Sequence, residues 1–73
     1  MKLPTDVSGR ELVKVLVRVG FVISRQRGSH IILRRDNPYA RVVVPDHNRV
    51  RPGTLRQILN EAKLTVEQLL NLR

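Results

Sequence analysis

The 73-residue chain contains no cysteine, so it has neither a disulfide framework nor a thiolate metal site. No apolar run approaches the roughly 20 residues that span a bilayer. Met1-Lys2-Leu3-Pro4 is not followed by the long apolar segment of a signal peptide. The chain therefore reads as cytoplasmic, with no membrane role. A phosphate-cradling glycine-rich loop, an H-E-x-x-H helix and a convincing Ser-His-Asp spacing are all missing. So are repeats, linkers and low-complexity tracts. The length allows one small domain, residues 1–73. A core of this size is marginal and leans on economical packing or a partner.

Acidic residues are scarce: six stand against 14 Lys and Arg, for a net charge of +8. Eleven of the 14 are arginine. Arginine forks match phosphate oxygens and stack on bases, whereas lysine is more of a point charge. A pI near 11.6 is the electrostatic footprint of a nucleic-acid binder. An acidic protein partner would answer the same charge.

Ser8-Gly9-Arg10-Glu11 fits a capping box. Leu12, Val13, Leu16 and Val19 follow at helical spacing, and Gly20 sits where a C′ glycine ends a helix. This predicts a first helix from about Ser8 to Val19. Arg10, Lys14 and Arg18 form a basic stripe along it, either a solvated face or a phosphate contact. Strands are predicted at about Phe21–Gln26, His30–Arg35 and Ala40–Val44. Asp36-Asn37-Pro38-Tyr39 is a turn, and Pro45 ends the third strand. Alternation sets Ile31, Leu33 and Arg35 on one face of the second strand and His30, Ile32 and Arg34 on the other. After a polar loop, Asp46–Arg51, Pro52-Gly53-Thr54 opens a second helix. Thr65 and Gln68 cap a short third one. The expected fold is α+β: a two-layer αβββα sandwich, a three-stranded antiparallel meander with helices on one face, and an extra short C-terminal helix. This is the order of the double-stranded-RNA-binding domain, although fold alone does not settle function.

The candidate chemistry lies in Arg25-Gln26-Arg27-Gly28-Ser29-His30. Two β-rich runs flank a short break containing Gly28, a hairpin signature. His30 then begins a strand beside a rigid turn, where it can trade a proton near neutral pH and the arginines can hold an anion. Alternatively it is only a polar residue on a solvated strand. Two histidines and Asp46 invite a metal, but His30 and His47 lie on separate elements and no thiolate supports them, so no metal or cofactor is expected. RNA carries its own nucleophile, the 2′-hydroxyl. Cleaving it needs a base, an acid and cations on the phosphorane-like transition state. His30 with Arg25, Arg27 and Arg34 fits that need. His47 is the complementary acid or base if its loop folds back, and otherwise a polar loop residue.

Three blocks resemble the HicA (YcfA-like) toxins of prokaryotic HicAB toxin–antitoxin pairs. They are Ser8-Gly9-Arg10-Glu11 with its valine-rich face and Gly20-Phe21; Arg27-Gly28-Ser29-His30; and Val44-Pro45, His47 and Gly53-Thr54-Leu55-Arg56-Gln57-Ile58-Leu59. The resemblance implies a dsRBD-like fold, endoribonuclease activity on mRNA, growth arrest and neutralisation by a HicB antitoxin, with His30 as the catalytic histidine. RNA-binding positions are expected at Arg25, Arg27, Gly28, Ser29, Arg34 and His47. The antitoxin is expected to cover the His30 face, with Ile32 exposed there. A non-catalytic RNA-binding module and a purely protein-binding domain are the competing readings.

Overall fold

The computed structural model describes residues 2–73; Met1, and with it the start of the N-terminal stretch read above, lies outside them. Ser8 takes extended backbone, and its hydroxyl accepts the Glu11 N–H at 3.0 Å, starting helix α1 at Gly9–Arg18. The reciprocal half of the expected capping box does not form. The Glu11 carboxylate instead accepts two bonds from the Arg73 guanidinium, at 2.7 and 3.2 Å, and a bidentate charged pair outcompetes one neutral N–H. At the other end Gly20, with φ 101°, donates to the Val17 carbonyl, while Phe21 donates to that of Leu16. This is the paired closure of a Schellman motif. The Phe21 N–H is thus spent on the helix, and the first strand, β1, opens one residue later than expected, at Val22–Arg27.

β2 is His30–Asp36 and β3 is Tyr39–Pro45, and the three strands form an antiparallel meander in the order β1-β2-β3. α2 spans Pro52–Ala62 and α3 spans Val66–Leu72. α3 carries the full capping box: Thr65 and Gln68 each bond the other's backbone N–H. α1 packs on β1, β3 and α3, and α2 packs on β3. The helices and one sheet face share a single core. It joins Leu12 and Leu16 of α1, Ile31 and Leu33 of β2, Val42 and Val44 of β3, Leu55 and Ile58 of α2, and Leu69 of α3. The expected αβββα sandwich with an added helix is the observed one.

None of the described helices covers the other sheet face, and a bulge decides what stands on it. Val22 pairs with Arg34 and Ile23 with Leu33; the register then shifts, so that Arg25 pairs with Ile32 and Arg27 with His30. Ser24 is the extra residue of that bulge. Side chains alternate every residue along a strand, so without it Arg25 and Arg27 would share the helix-covered face with Ile23. With it they stand on the outer face beside His30. Ile32 is also on this face, outside the core cluster, but it is not exposed as expected: only 8% of it reaches solvent. It sits on the central strand with Arg25 opposite on one side and Val43 on the other. Side chains on both flanks, one a long arginine stem, cover it.

Candidate functional site

The strand-joining loop is two residues, Gly28 and Ser29, between the paired Arg27 and His30. Gly28 has φ 58°, which costs glycine nothing. His30 is therefore held at the first position of β2 by a tight turn, with Arg27 across from it on β1 and Pro45 across from it on β3. Its side chain is exposed.

The segment after β3 folds back on this turn. The Asp46 N–H donates to the Ser29 carbonyl at 2.7 Å, and the Gly9 N–H donates to the His47 carbonyl at 2.9 Å. The latter is one of the N–H groups that a helix start leaves without an intrahelical partner. Gly9 is fully surrounded there: a Cβ would collide with the Pro45 carbonyl. The Asp46 carboxylate accepts Arg10 at 3.2 and 3.3 Å and Gln26 at 3.5 Å, while Gln26 also donates to the Gly28 carbonyl at 3.1 Å. Asp46 thus ties together α1, β1 and the turn. Further on, the Val50 N–H donates to the Val7 carbonyl at 2.8 Å and the Val50 side chain is buried. Arg49 and Arg51, on either side of that anchor, are left exposed.

The result is an open cleft of about 340 Å³ lined by His30, Val43, Pro45, His47, Arg49, Arg51 and Thr54. Both histidines line it, the fold-back condition set for His47 above. Neither Arg49 nor Arg51 has an ion-pair partner among the described residues, and the same holds for Arg25 and Arg27. The cleft can therefore seat an anion between cations with two imidazoles at hand.

The expected constellation of His30 with Arg25, Arg27 and Arg34 is only partly gathered. Arg27 is directly across from His30, and Arg25 is one outward position farther along, opposite Ile32. Arg34 shares the outer face but lies four residues up the strand, about 13 Å away. It pairs with Asp36 at 3.1 Å and stands opposite Arg41. Gly28 and Ser29 contribute the turn, and Ser29 also holds the loop through its carbonyl. The α1 stripe divides as well. Arg10 serves Asp46, Arg18 donates to the Leu72 carbonyl at 3.2 Å, and Lys14 makes no side-chain hydrogen bond among the described residues.

Arg49, Arg51 and Thr54 were missing from the sequence-based site. One signal was available for the arginines. A lone valine between two arginines in a polar loop is an alternating pattern, in which burying the valine sends both arginines outward. As for metals, no group of three or more His, Cys, Asp or Glu among the described residues is placed to hold one. No described helix is long and apolar enough to cross a membrane.

A family model described as the HicA toxin of bacterial toxin–antitoxin matches residues 9–64. That range begins at the first residue of α1, ends just after α2, and takes in the whole sheet, the His30 turn and the loop carrying His47. Among curated proteins, none matches the chain significantly. With about three-quarters of its length covered by the family model, and with helix, meander and helix in the order the resemblance implied, the chain belongs to the HicA toxin family and is a toxin of a toxin–antitoxin system.

Proposed function

We propose that this toxin is a metal-independent endoribonuclease that cuts mRNA in the cytoplasm, with His30 as its acid–base residue, and that a HicB-like antitoxin restrains it by covering the His30 face. The observation that carries the reading is the location of His30. It stands where the outward arginines of the sheet, Arg25 and Arg27, meet the cleft of His47, Arg49 and Arg51. A single RNA strand crossing that junction brings its phosphates to the arginines and one 2′-hydroxyl to the imidazole.

The chemistry needs no cofactor. The 2′-oxygen attacks the adjacent phosphorus once its proton is taken, and arginines offset the charge that builds on the phosphorane-like transition state. General acid–base catalysis of this kind supplies roughly 10²–10⁴-fold. Cleavage is expected to persist in excess EDTA.

The test is His30→Ala. Its side chain is exposed and outside the core, so stability should stay within roughly 0.5 kcal/mol of wild type. RNA binding should persist, because arginines hold the phosphates, while cleavage should fall by at least about 10²-fold. A variant that folds, binds and cuts at the wild-type rate would sink the assignment. A wild-type protein that binds RNA and never cuts it would instead establish a non-catalytic RNA-binding module. Co-expression with the adjacent reading frame tests the partner, since a co-purified complex that cuts as fast as the free toxin refutes occlusion.

A further inference from the structure

We propose that His47 is the second proton carrier of this site. It acts as the general acid that protonates the departing 5′-oxygen while His30 accepts the 2′-hydroxyl proton. This rests on the endoribonuclease reading above and adds to it a division of labour and a product: a 2′,3′-cyclic phosphate and a 5′-hydroxyl.

Three observations converge on it. The first is elimination within the cleft. Of its seven lining residues, two are arginines, and arginine does not give up its proton in proteins. Val43 and Pro45 have no side-chain proton to exchange, and Thr54 is a hydroxyl far too weak an acid to protonate an alkoxide at neutral pH. His30 and His47 are the two groups in the cleft suited to acid–base work at that pH. The second is position. His47 is not on a free loop: its carbonyl accepts the N–H of Gly9 at 2.9 Å, and its neighbour Asp46 is bonded to the Ser29 carbonyl at 2.7 Å. The two histidines are thus tied to each other through the turn that carries one of them. The third is charge. Arg49 and Arg51 lie in the same cleft without ion-pair partners among the described residues, where a phosphate held between the imidazoles would meet them.

The step balances. The 2′-oxygen forms a bond to phosphorus and its proton passes to the His30 imidazole. The bond from phosphorus to the 5′-oxygen breaks, and that oxygen takes a proton from the His47 imidazolium. Exchange with water restores both rings. An in-line displacement needs a base on the entering side and an acid on the leaving side, and one histidine cannot be on both at once.

The experiment compares two RNAs with one cleavable linkage each, identical except that sulfur replaces the bridging 5′-oxygen in the second. A thiolate leaves without being protonated. His47→Ala should therefore cut the oxygen-linked RNA about 10²–10⁴-fold slower than wild type and the sulfur-linked RNA at nearly the wild-type rate. His30→Ala should be slow on both, and the wild-type product should end in a cyclic phosphate. The bonds that hold His47 are main-chain bonds, so the alanine variant keeps them. Should it melt well below wild type, His47→Gln gives the same comparison with a side chain of similar size. Wild-type speed of either folded variant on oxygen-linked RNA overturns the proposal. So does an equal defect of His47→Ala on both RNAs, or sulfur rescue of His30→Ala in its place. A wild-type protein that cuts neither RNA would overturn the endoribonuclease reading itself.

Discussion

The two ends of β2 use arginine in opposite ways. At the Asp36 end, Arg34 and Arg35 are engaged by the fold, while Arg41, across from Arg34, has no ion-pair partner among the described residues. Arg34 pairs with Asp36 at 3.1 Å. Arg35 lies on the helix-covered side, its guanidinium 4.7 Å from the centre of the Phe21 ring, and it donates to the carbonyls of Pro38 and Ala62 at 3.0 and 3.5 Å. At the His30 end, Arg25, Arg27, Arg49 and Arg51 have no ion-pair partner among the described residues. The acids explain the contrast. The Asp46 carboxylate at the His30 end is taken by Arg10 and Gln26, and it forms no ion pair with any of the four. A chain with so few acids decides where its charge is available by where it places each of them.

That contrast depends on a close approach at the His30 end, and Gly9 is the residue that permits it. Gly9→Ala should destabilise the protein by about 1–3 kcal/mol, the cost of forcing atoms into a filled space. For a domain this small that means a Tm drop of roughly 4–8 °C per kcal/mol. The sign is diagnostic, because alanine in place of glycine within a helix otherwise stabilises it by about 1 kcal/mol. Pushing Pro45 and His47 away should also lower cleavage in the fraction that remains folded. Thermal melting and RNA cleavage measured together check both parts. A variant as stable and active as wild type would mean the loop is not anchored as described.

The division between the ends should appear as a double dissociation. Arg51→Ala should leave stability within roughly 0.5 kcal/mol and reduce cleavage by up to about 10²-fold, the scale of losing one donor to transition-state charge. Arg35→Ala should do the reverse. It should lose the ring contact, worth about 0.5–1 kcal/mol, together with the packing of its stem, while the folded protein cuts at the wild-type rate. The contrast fails if both substitutions act on the same quantity.

Much of this was legible in the sequence. The alternation of Ile31, Leu33 and Arg35 against His30 and Arg34, the Gly28 turn, the Gly20 helix end and the Thr65–Gln68 cap are local patterns, and local patterns write themselves into short stretches. What was not legible is long-range. The bulge at Ser24 has no glycine to announce it, yet it is what brings Arg25 and Arg27 to the His30 face. Without it, the expectation that those arginines flank His30 would have failed. The cleft needs a bond between Gly9 and His47, far apart in the chain, so Arg49 and Arg51 read only as loop residues. Phe21 read as strand because its side chain favours one; its N–H had already gone to the helix. Ile32 read as exposed because its face has no helix, but the central strand of a sheet is covered from both sides.

Arg73 gives a smaller test of the same principle, charge consumed by the fold. Its guanidinium bonds Asp6 at 3.0 Å and Glu11 at 2.7 Å, joining α3 to α1 and to the segment before it. The hydrogen bond from Arg73, and then its charge, hold the Asp6 carboxyl below the usual aspartate range. A group whose pKa is lowered by folding stabilises the folded state above its unfolded pKa. That contribution is lost as pH falls through the folded value. Wild type should therefore melt slightly above Asp6→Asn at neutral pH, with the gap closing as pH drops below roughly 4. Asp6 is exposed, so the gap should be small and should also shrink in about 1 M salt, where screening acts within about 3 Å. Melting curves of the two proteins across acidic pH, at low and high salt, measure it. A gap that widens on acidification would mean that Asp6 is held by something other than the Arg73 charge.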